Sequence, residues 1–562
     1  MIRTWSEQLG AKLDPLGMFT PVLHAQISWM LHPQELAEHM TAFNKDFLAV
    51  AAHAQRRMFG LPSDEPVESN PDDTRFVDPA WTELPSWDIY KDWYLLWTRR
   101  IQDMLHAAPG MSQSERCRAA FWSRQWLNAV APTNFFWTNP LAMRQALETQ
   151  GESLKRGWHN FIEDLQAGEI RMTDPGDFKV GVNLAVTPGA VVARNRLLEV
   201  IHYKPTQATV HRTPIVIVTP WINKFYILDL VPKKSMVHYL LDQGFDVFIT
   251  SWKNPDATMA DVTFDDYLTE GIDTLVNVAR DLSGARQVHA VGYCIGGTAL
   301  SIYMAWAARA YSADEQPVAH WTLFAALTDF EHPGDIEVFI DEGSVDYLAE
   351  NMRKKGYLDG SEMATSFRLL RSNPLIWHYY VHSYLYGEKP PPFDALYWNT
   401  DTTRMPATMH AWYLRELYLH NRLIQPDSLT LAGQPISLQR VNQPLYAVGT
   451  EDDHIAPWQQ TFRVMNHVRG QKRYVLSSSG HIFGIVNPPV IPAKRRFCAD
   501  EVHRTDSPLA WRERCEWTSG SWWEDWIAWL RPQMGTRVKA PALGKRTHPQ
   551  LEDAPGTYVT ER

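Results

Sequence analysis

The chain has 562 residues, long enough for a large core and two or more domains, and its 45% hydrophobic and 21% charged content is that of a globular protein. A net charge of -10 and a pI near 6.1 argue against a nucleic-acid partner, although a local cluster of cations can hold an anion within an acidic protein. Four cysteines (Cys117, Cys294, Cys498, Cys515) are too few for a disulfide scaffold and lack C-x-x-C spacing, so neither a zinc site nor a redox motif is expected.

The first residues lack a basic stretch followed by an apolar one, and no run of about 20 apolar residues exists, so the expectation is a cytosolic protein without a membrane span. Residues 1–60 read as helical, with apolar clusters such as Phe43, Phe47, Leu48 and Val50. Leu61 to Pro79 is proline-rich and acidic, hence a linker or long loop. From Trp87 to Leu105, the residues Tyr90, Trp93, Tyr94, Trp97, Ile101, Met104 and Leu105 fall on one helical stripe, which is either core-facing or a docking face. Helix continues from Ser114 to Gln166, interrupted at Pro132 and Pro140.

The character changes near Phe178. Strand-like runs are Leu197–Tyr203, Ile215–Thr219, Asp246–Ser251, Gln287–Gly292, Trp321–Leu327, Leu445–Gly449 and Arg473–Leu476, with helix-like runs Met236–Gln243, Phe264–Leu282 and Thr298–Ala310 among them. That alternation predicts a mostly parallel sheet covered by helices, an α/β fold. It breaks after Leu327: residues 330–430 are rich in aromatics and helix formers, as expected of a cap inserted between late strands. The division is therefore a mainly helical N-terminal domain over 1–177, a catalytic domain over 178–536 containing the cap, and an extended tail over 537–562.

Gln287 to Leu300 contains Gly292-Tyr293-Cys294-Ile295-Gly296, a strand ending in a small-residue turn that opens a helix. This is the G-x-nucleophile-x-G elbow of the α/β-hydrolase fold, with Cys as nucleophile. The helix N-terminus behind Cys294 favours a thiolate, and the Ile295 N–H is half of an oxyanion hole. In this fold an acid and a histidine follow the nucleophile in chain order. Glu451-Asp452-Asp453 follows the strand ending at Gly449, and His481 follows the strand ending at Leu476, so all would meet at the C-terminal edge of the sheet. Of the three acids Asp453 is preferred, with Asp452 next; His454 reads as a structural hydrogen bond near the acid. His378 and His382, at i, i+4 without a following Glu, read as cap surface rather than a metal pair.

Beyond the elbow, several runs carry a family resemblance. They include Pro132-Thr133-Asn134-Phe135, Gly151-Glu152-Ser153-Leu154, the stretch from Pro220 to Leu230, Ser251-Trp252-Lys253-Asn254-Pro255, Gly292 to Gly297, Tyr397-Trp398-Asn399, Trp412-Tyr413-Leu414-Arg415, Asp453-His454-Ile455, Gly480-His481-Ile482 and Ala554 to Val559. On these the chain resembles the class I poly(3-hydroxyalkanoate) synthases, from about Pro132 to its end. It departs from their pattern in the cap, at Asn373 to His378 and at Thr400, and matches them weakly over the first 80 residues or so.

The resemblance implies an acyltransferase that polymerises (R)-3-hydroxyacyl-CoA, such as 3-hydroxybutyryl-CoA, into polyester with release of CoA and without a cofactor. It maps the family's catalytic Cys, Asp and His onto Cys294, Asp453 and His481. It implies a homodimer at the surface of polymer granules in the cytoplasm, with the N-terminal domain supporting both properties, and granule-associated proteins as further partners. The second oxyanion donor would lie at Trp221 or Ile222. Lys224, Lys253, Arg371 and Arg415 are candidates for the CoA phosphates, with Trp398 and His454 as further substrate contacts, although any one such cation is by default a solvated surface charge. A thioesterase or polyester depolymerase, and a non-catalytic granule-coating protein, are the alternatives on the same fold.

Overall fold

The computed structural model describes residues 14–67, 73–174, 176 and 178–562. The parts of the predicted helical start before residue 14 and of the linker at 68–72 lie outside them. The chain forms two compact units: one comprises residues up to Asp174 together with Thr365–Pro392, the other Pro175–Ala364 with Phe393–Arg562.

The second unit is built on one sheet of eleven strands among the described residues. In chain order they are β1 (Gly189–Arg194), β2 (Leu198–Tyr203), β3 (Ile215–Val218), β4 (Val247–Trp252), β5 (Val288–Tyr293), β6 (Val318–Phe324), β7 (Leu445–Thr450), β8 (Lys472–Ser477), β9 (Arg496–Glu501), β10 (Thr518–Ser519) and β11 (Glu552–Asp553). Across the sheet the order is β10-β9-β8-β7-β6-β5-β3-β4-β2-β1-β11. The strands from β4 to β8 in that order run parallel, and antiparallel strands flank them on both sides. β3, β4, β5 and β7 are buried at every position, as sheets covered on both faces require. On one face Trp522, Trp523 and Trp526 of the helix Trp522–Leu530 pack on Phe324, Tyr446 and Val448, so much of the high tryptophan content is core.

All seven expected strands are present, each shifted by no more than a few residues. β1, β9, β10 and β11 were not anticipated: β9 reads Arg-Phe-Cys-Ala-Asp-Glu, an edge-like mixture without clean alternation, and β10 and β11 are two residues long. The tail is extended, as expected, but docked. Arg537–Lys539 pairs with Thr209–His211, β11 pairs with β1, and Tyr558 and Val559 are buried.

The first unit is helical: Thr20–Leu31, Pro33–Met58, Pro85–His106, Gln113–Ala129, Pro140–Glu148 and Glu152–Ala167. Much of the expected stripe on Pro85–His106 faces its neighbours. Trp93 and Trp97 pack at a tilt on Phe47 and Phe43, Tyr94 donates to Leu127 O, and Leu105 is buried, whereas Tyr90 and Trp97 keep about half their surface in solvent. The buried charges on the same helix were not read from sequence: Asp88, Lys91 and Asp92 form an ion-pair network with His53, Arg57 and Glu65.

The expected cap is divided. Thr365–Pro392 packs within the helical unit, where Ala142 contacts Val381 and Tyr386, Asn160 Nδ2 donates to Ser383 O, and a side chain at Gly157 would meet Tyr384 O. The remainder of 330–430 belongs to the sheet unit. Pro374 and two π-helical turns, Asn373–Trp377 and Val381–Leu385, shape this segment, and helices of the first unit bury its Val381 and Tyr386. A chain starting near Phe178 therefore exposes Val381, Tyr384 and Tyr386. It is expected to melt at least about 5 °C lower and to aggregate, checked by thermal denaturation and light scattering.

Candidate active site

The parallel strands deliver their C-terminal ends to one edge of the sheet, and the candidate residues follow those ends. Cys294 joins β5 to the helix Ile295–Ala310 with φ 52° and ψ -127°, a backbone state that costs a residue with a side chain about 1–3 kcal/mol. The turn is possible because neighbouring glycines allow close approach. A Cβ on Gly292 would stand 2.5 Å from Gly297 Cα, and one on Gly296 2.5 Å from Val218 O, so the new helix lies directly against β5 and β3. Ile295, first in that helix, has no intrahelical acceptor for its N–H. The half-buried Cys294 side chain thus sits at a positive helix end.

Asp453 lies just past β7 and His481 just past β8. His481 Nδ1 is 2.6 Å from Asp453 Oδ2, and the Asp453 side chain is 0% exposed. Thr450 Oγ1 donates to the same oxygen at 3.1 Å, and the N–H groups of Ile455 and Ala456 donate to Oδ1 at 2.9 Å each. Each carboxylate oxygen is therefore doubly engaged. With Nδ1 on Asp453, the other ring nitrogen of His481 is left for Cys294, which helps to hold the ring's proton. Tyr293 supports the ring from one side: its hydroxyl donates to His481 O at 3.1 Å and the two rings stack at 5.6 Å.

Charge reinforces this chain of contacts. Burial opposes protonation of His481, but the Asp453 carboxylate and then Cys294 outweigh it and hold its pKa well above the ordinary value. Burial likewise opposes ionisation of Asp453, and His481 with the two amides outweighs it, holding the carboxyl below its ordinary value. Asp452 is exposed and Glu451 pairs with Arg496, so of the three acids Asp453 alone bonds to His481 among the described residues.

Two phenols were missed by sequence reasoning. Burial raises the pKa of Tyr413 and Tyr418, and the charge of Cys294 adds to both. They meet Phe330 edge to face at 6.3 and 4.7 Å and each other at 5.4 Å, forming an aromatic wall from the cap segment. The motif Trp412-Tyr413-Leu414-Arg415 carried part of this signal.

The other candidates are placed less uniformly. Trp221 is buried and Ile222 half-buried on the loop after β3, consistent with a second oxyanion donor there. Lys224 is not a free cation: its ammonium, 5% exposed, pairs with Asp401 at 2.7 Å. Trp398 is buried and donates to Lys224 O at 2.6 Å, and Arg415 pairs with Glu342 and Asp346. These three take structural partners within the chain. Lys224 and Arg415 must each give up that partner before serving a phosphate, which costs little for Arg415, whose partners are exposed. Lys253 is partly exposed above the Tyr558 ring, 4.0 Å from Glu561, and Arg371 is an exposed residue of the helical unit. His454 O accepts the Asp335 N–H. His382 pairs with Glu388 and packs its ring on His378, within the helical unit.

A parallel sheet with a nucleophile elbow and an acid and histidine on later strand ends defines an α/β-hydrolase fold, and the model of that fold matches residues 214–488. The model described as the poly-beta-hydroxybutyrate polymerase N-terminus matches residues 72–240. The chain is 40% identical over 542 residues to the poly(3-hydroxyalkanoate) polymerase of Methylorubrum extorquens, covering 95% of this chain and 88% of that one. It is 38% identical to the PhaC polymerase subunit of Rhizobium meliloti (95% and 87% covered) and 39% identical to that of Cupriavidus necator (96% and 90% covered). Among solved structures it is similar to an esterase from Thermogutta terrifontis, at 13% identity and TM-score 0.32, covering 62% of this chain and 98% of the other. The chain belongs to the poly(3-hydroxyalkanoate) polymerases, a family of acyltransferase enzymes. Among the described residues no helix is long and apolar enough to cross a membrane.

Proposed function

We propose that this protein polymerises (R)-3-hydroxyacyl-CoA, with 3-hydroxybutyryl-CoA as a fitting short-chain monomer, through a thioester on Cys294. The observation that carries the reading is the His481–Asp453 pair at the C-terminal edge of the sheet, its imidazole stacked on Tyr293 next to the elbow residue Cys294. His481 takes the thiol proton, and the thiolate attacks the thioester carbonyl carbon. The N–H of Ile295, with one from Trp221 or Ile222, holds the oxyanion; one such donor contributes about 2.7–4 kcal/mol. The C–S bond to CoA breaks, His481 returns the proton to the CoA sulfur, and the acyl group rests on Cys294.

Elongation repeats this chemistry with an alcohol. The 3-hydroxyl of the next acyl-CoA loses its proton to His481, its oxygen attacks the Cys294 thioester, and the ester forms as the Cys294 sulfur departs and takes the proton from His481. Cys294 then attacks the CoA thioester of the lengthened chain as in the first acylation, and CoA leaves. A thioester retains the activation of the incoming thioester, which an ester on serine would lose. Asp453 has both oxygens engaged and no exposed surface, so it acts through His481 rather than by touching the hydroxyl. The wall of Phe330, Tyr413 and Tyr418 limits water, which would end the chain by hydrolysis. No cofactor takes part. We place the enzyme at the granule surface in the cytoplasm, as a homodimer. Large exposed apolar residues of the helical unit, Met30, Leu31, Phe59 and Trp137, support a surface-bound role.

The test is to give the purified protein (R)-3-hydroxybutyryl-CoA and follow CoA release and turbidity together. Both should rise. CoA release without polymer would make it a thioesterase or depolymerase; neither would make it a granule-coating protein or an enzyme for another acyl chain.

A further inference from the structure

The loop Trp221–Lys224, to which the acyl-transfer reading assigns the second oxyanion donor, has no regular structure of its own between β3 and the turn Phe225–Asp229. It is held by segments remote in sequence. Trp221 O accepts the hydroxyl of buried Thr403, and Ile222 O accepts the Thr403 N–H at 3.2 Å. Asn223 forms an isolated bridge with Thr402, and Lys224 O accepts Trp398 Nε1 at 2.6 Å. In a trans peptide the N–H points away from the C=O. Fixing Trp221 O therefore fixes the direction of the Ile222 N–H.

The Lys224 ammonium completes the clamp. It meets Asp401 Oδ1 at 2.7 Å and donates to Glu561 O at 2.9 Å, and Asp401 Oδ2 accepts the Tyr226 hydroxyl at 2.8 Å. One buried cation thus joins the oxyanion loop, the 398–403 segment and the 557–562 segment. The last is itself anchored. Buried Glu199 on β2 accepts the N–H groups of Thr557 and Tyr558 at 3.3 and 3.2 Å, and the Tyr558 hydroxyl donates to Asn195 O at 2.8 Å.

We propose that Lys224 is a positioning residue for the oxyanion hole, with Asp401, Thr403 and the docked 557–562 segment as its supports. This rests on the acyl transfer proposed above. Lys224 touches neither substrate nor Cys294; it sets where the loop's N–H points. Removing its charge leaves the partly buried Asp401 without its cation and frees the loop from the 557–562 segment. A misplaced oxyanion donor weakens the transition state and spares substrate binding, so kcat falls while KM stands. A lysine that held CoA phosphate would do the opposite.

The experiment measures kcat and KM for (R)-3-hydroxybutyryl-CoA in the full chain carrying Lys224→Met, Thr403→Val, or both, each with its melting temperature. Thr403→Val keeps the side-chain shape and removes the donor to Trp221 O, and it stands in should Lys224→Met not fold. The expected result is a kcat lowered about 10- to 100-fold in each single variant, KM within about twofold, and a double variant little worse than the poorer single. A raised KM with kcat kept, or both constants within about twofold of the parent, overturns the proposal. Cys294→Ala runs alongside. If it stays active the acyl-transfer reading has failed; if it is inactive while Lys224→Met and Thr403→Val are normal, only the role of Lys224 has failed.

Discussion

Cys294→Ala is expected to fold and to form neither acyl-enzyme nor polymer, with kcat lower by about 10⁴-fold or more, because no other group stands at the elbow to accept the acyl chain. Ala suits the position sterically: the strain at φ 52° belongs to the backbone, and Gly292, Gly296 and Gly297 still permit the close approach. Cys294→Ser is expected to be severely impaired rather than isofunctional. A thiol ionises near pH 8.5 and yields a thiolate to His481, whereas an alcohol at the same place gives little alkoxide. Cys117 lies on the helix Gln113–Ala129, Cys498 on β9 and Cys515 just before β10, so each should be replaceable without loss of chemistry. Retention of polymer synthesis by the Ala variant would remove the basis of the mechanism.

Asp453→Asn is expected to slow elongation more than the first acylation. The carboxylate raises the basicity of His481, and the two steps draw on that basicity unequally. Acylation needs only a thiol proton removed; elongation needs the proton of a much weaker acid, an alcohol. In a single turnover with labelled monomer the variant should therefore form labelled protein and little polymer. Equal losses would mean that Asp453 only orients the ring.

The same substitution predicts a pH signature. With the carboxylate gone, burial is opposed only by Cys294, and His481 should lose its second proton at a lower pH, read by imidazole nitrogen NMR. Asp453, depressed when folded, contributes stability above about pH 4 that is lost as pH falls through its lowered value. His481, raised when folded, contributes stability below about pH 6.5 that is lost as pH rises through its raised value. The melting-temperature gap between parent and Asp453→Asn should therefore be widest between about pH 4 and 6.5.

Much of this site was legible because the fold writes its chemistry at strand ends. β5, β7 and β8 are short β-branched and aromatic runs bounded by small residues, and the residues just beyond them are Cys294, Asp453 and His481. What sequence did not disclose depends on long-range packing. Lys224 sits between Asn223 and Phe225 and reads as a surface cation; only the fold brings Asp401 and Glu561 to its ammonium. Asp88, Lys91 and Asp92 carry no local signal of burial, and become interior because His53 and Arg57 of a neighbouring helix balance them. The division of the cap was hidden for a related reason. Aromatic helix formers announce burial without naming the surface that buries them, and Tyr384 meets its partner at Gly157, more than two hundred residues earlier.

The central claim is that the growing chain is carried on Cys294. The most direct measurement is a single turnover with labelled (R)-3-hydroxybutyryl-CoA, quenched in acid, digested and mapped by mass spectrometry. The account predicts one equivalent of label or less per chain, confined to the peptide containing Cys294 and released by neutral hydroxylamine as a thioester is. Label on another residue, or CoA released at full rate with no labelled protein at any time, would contradict it.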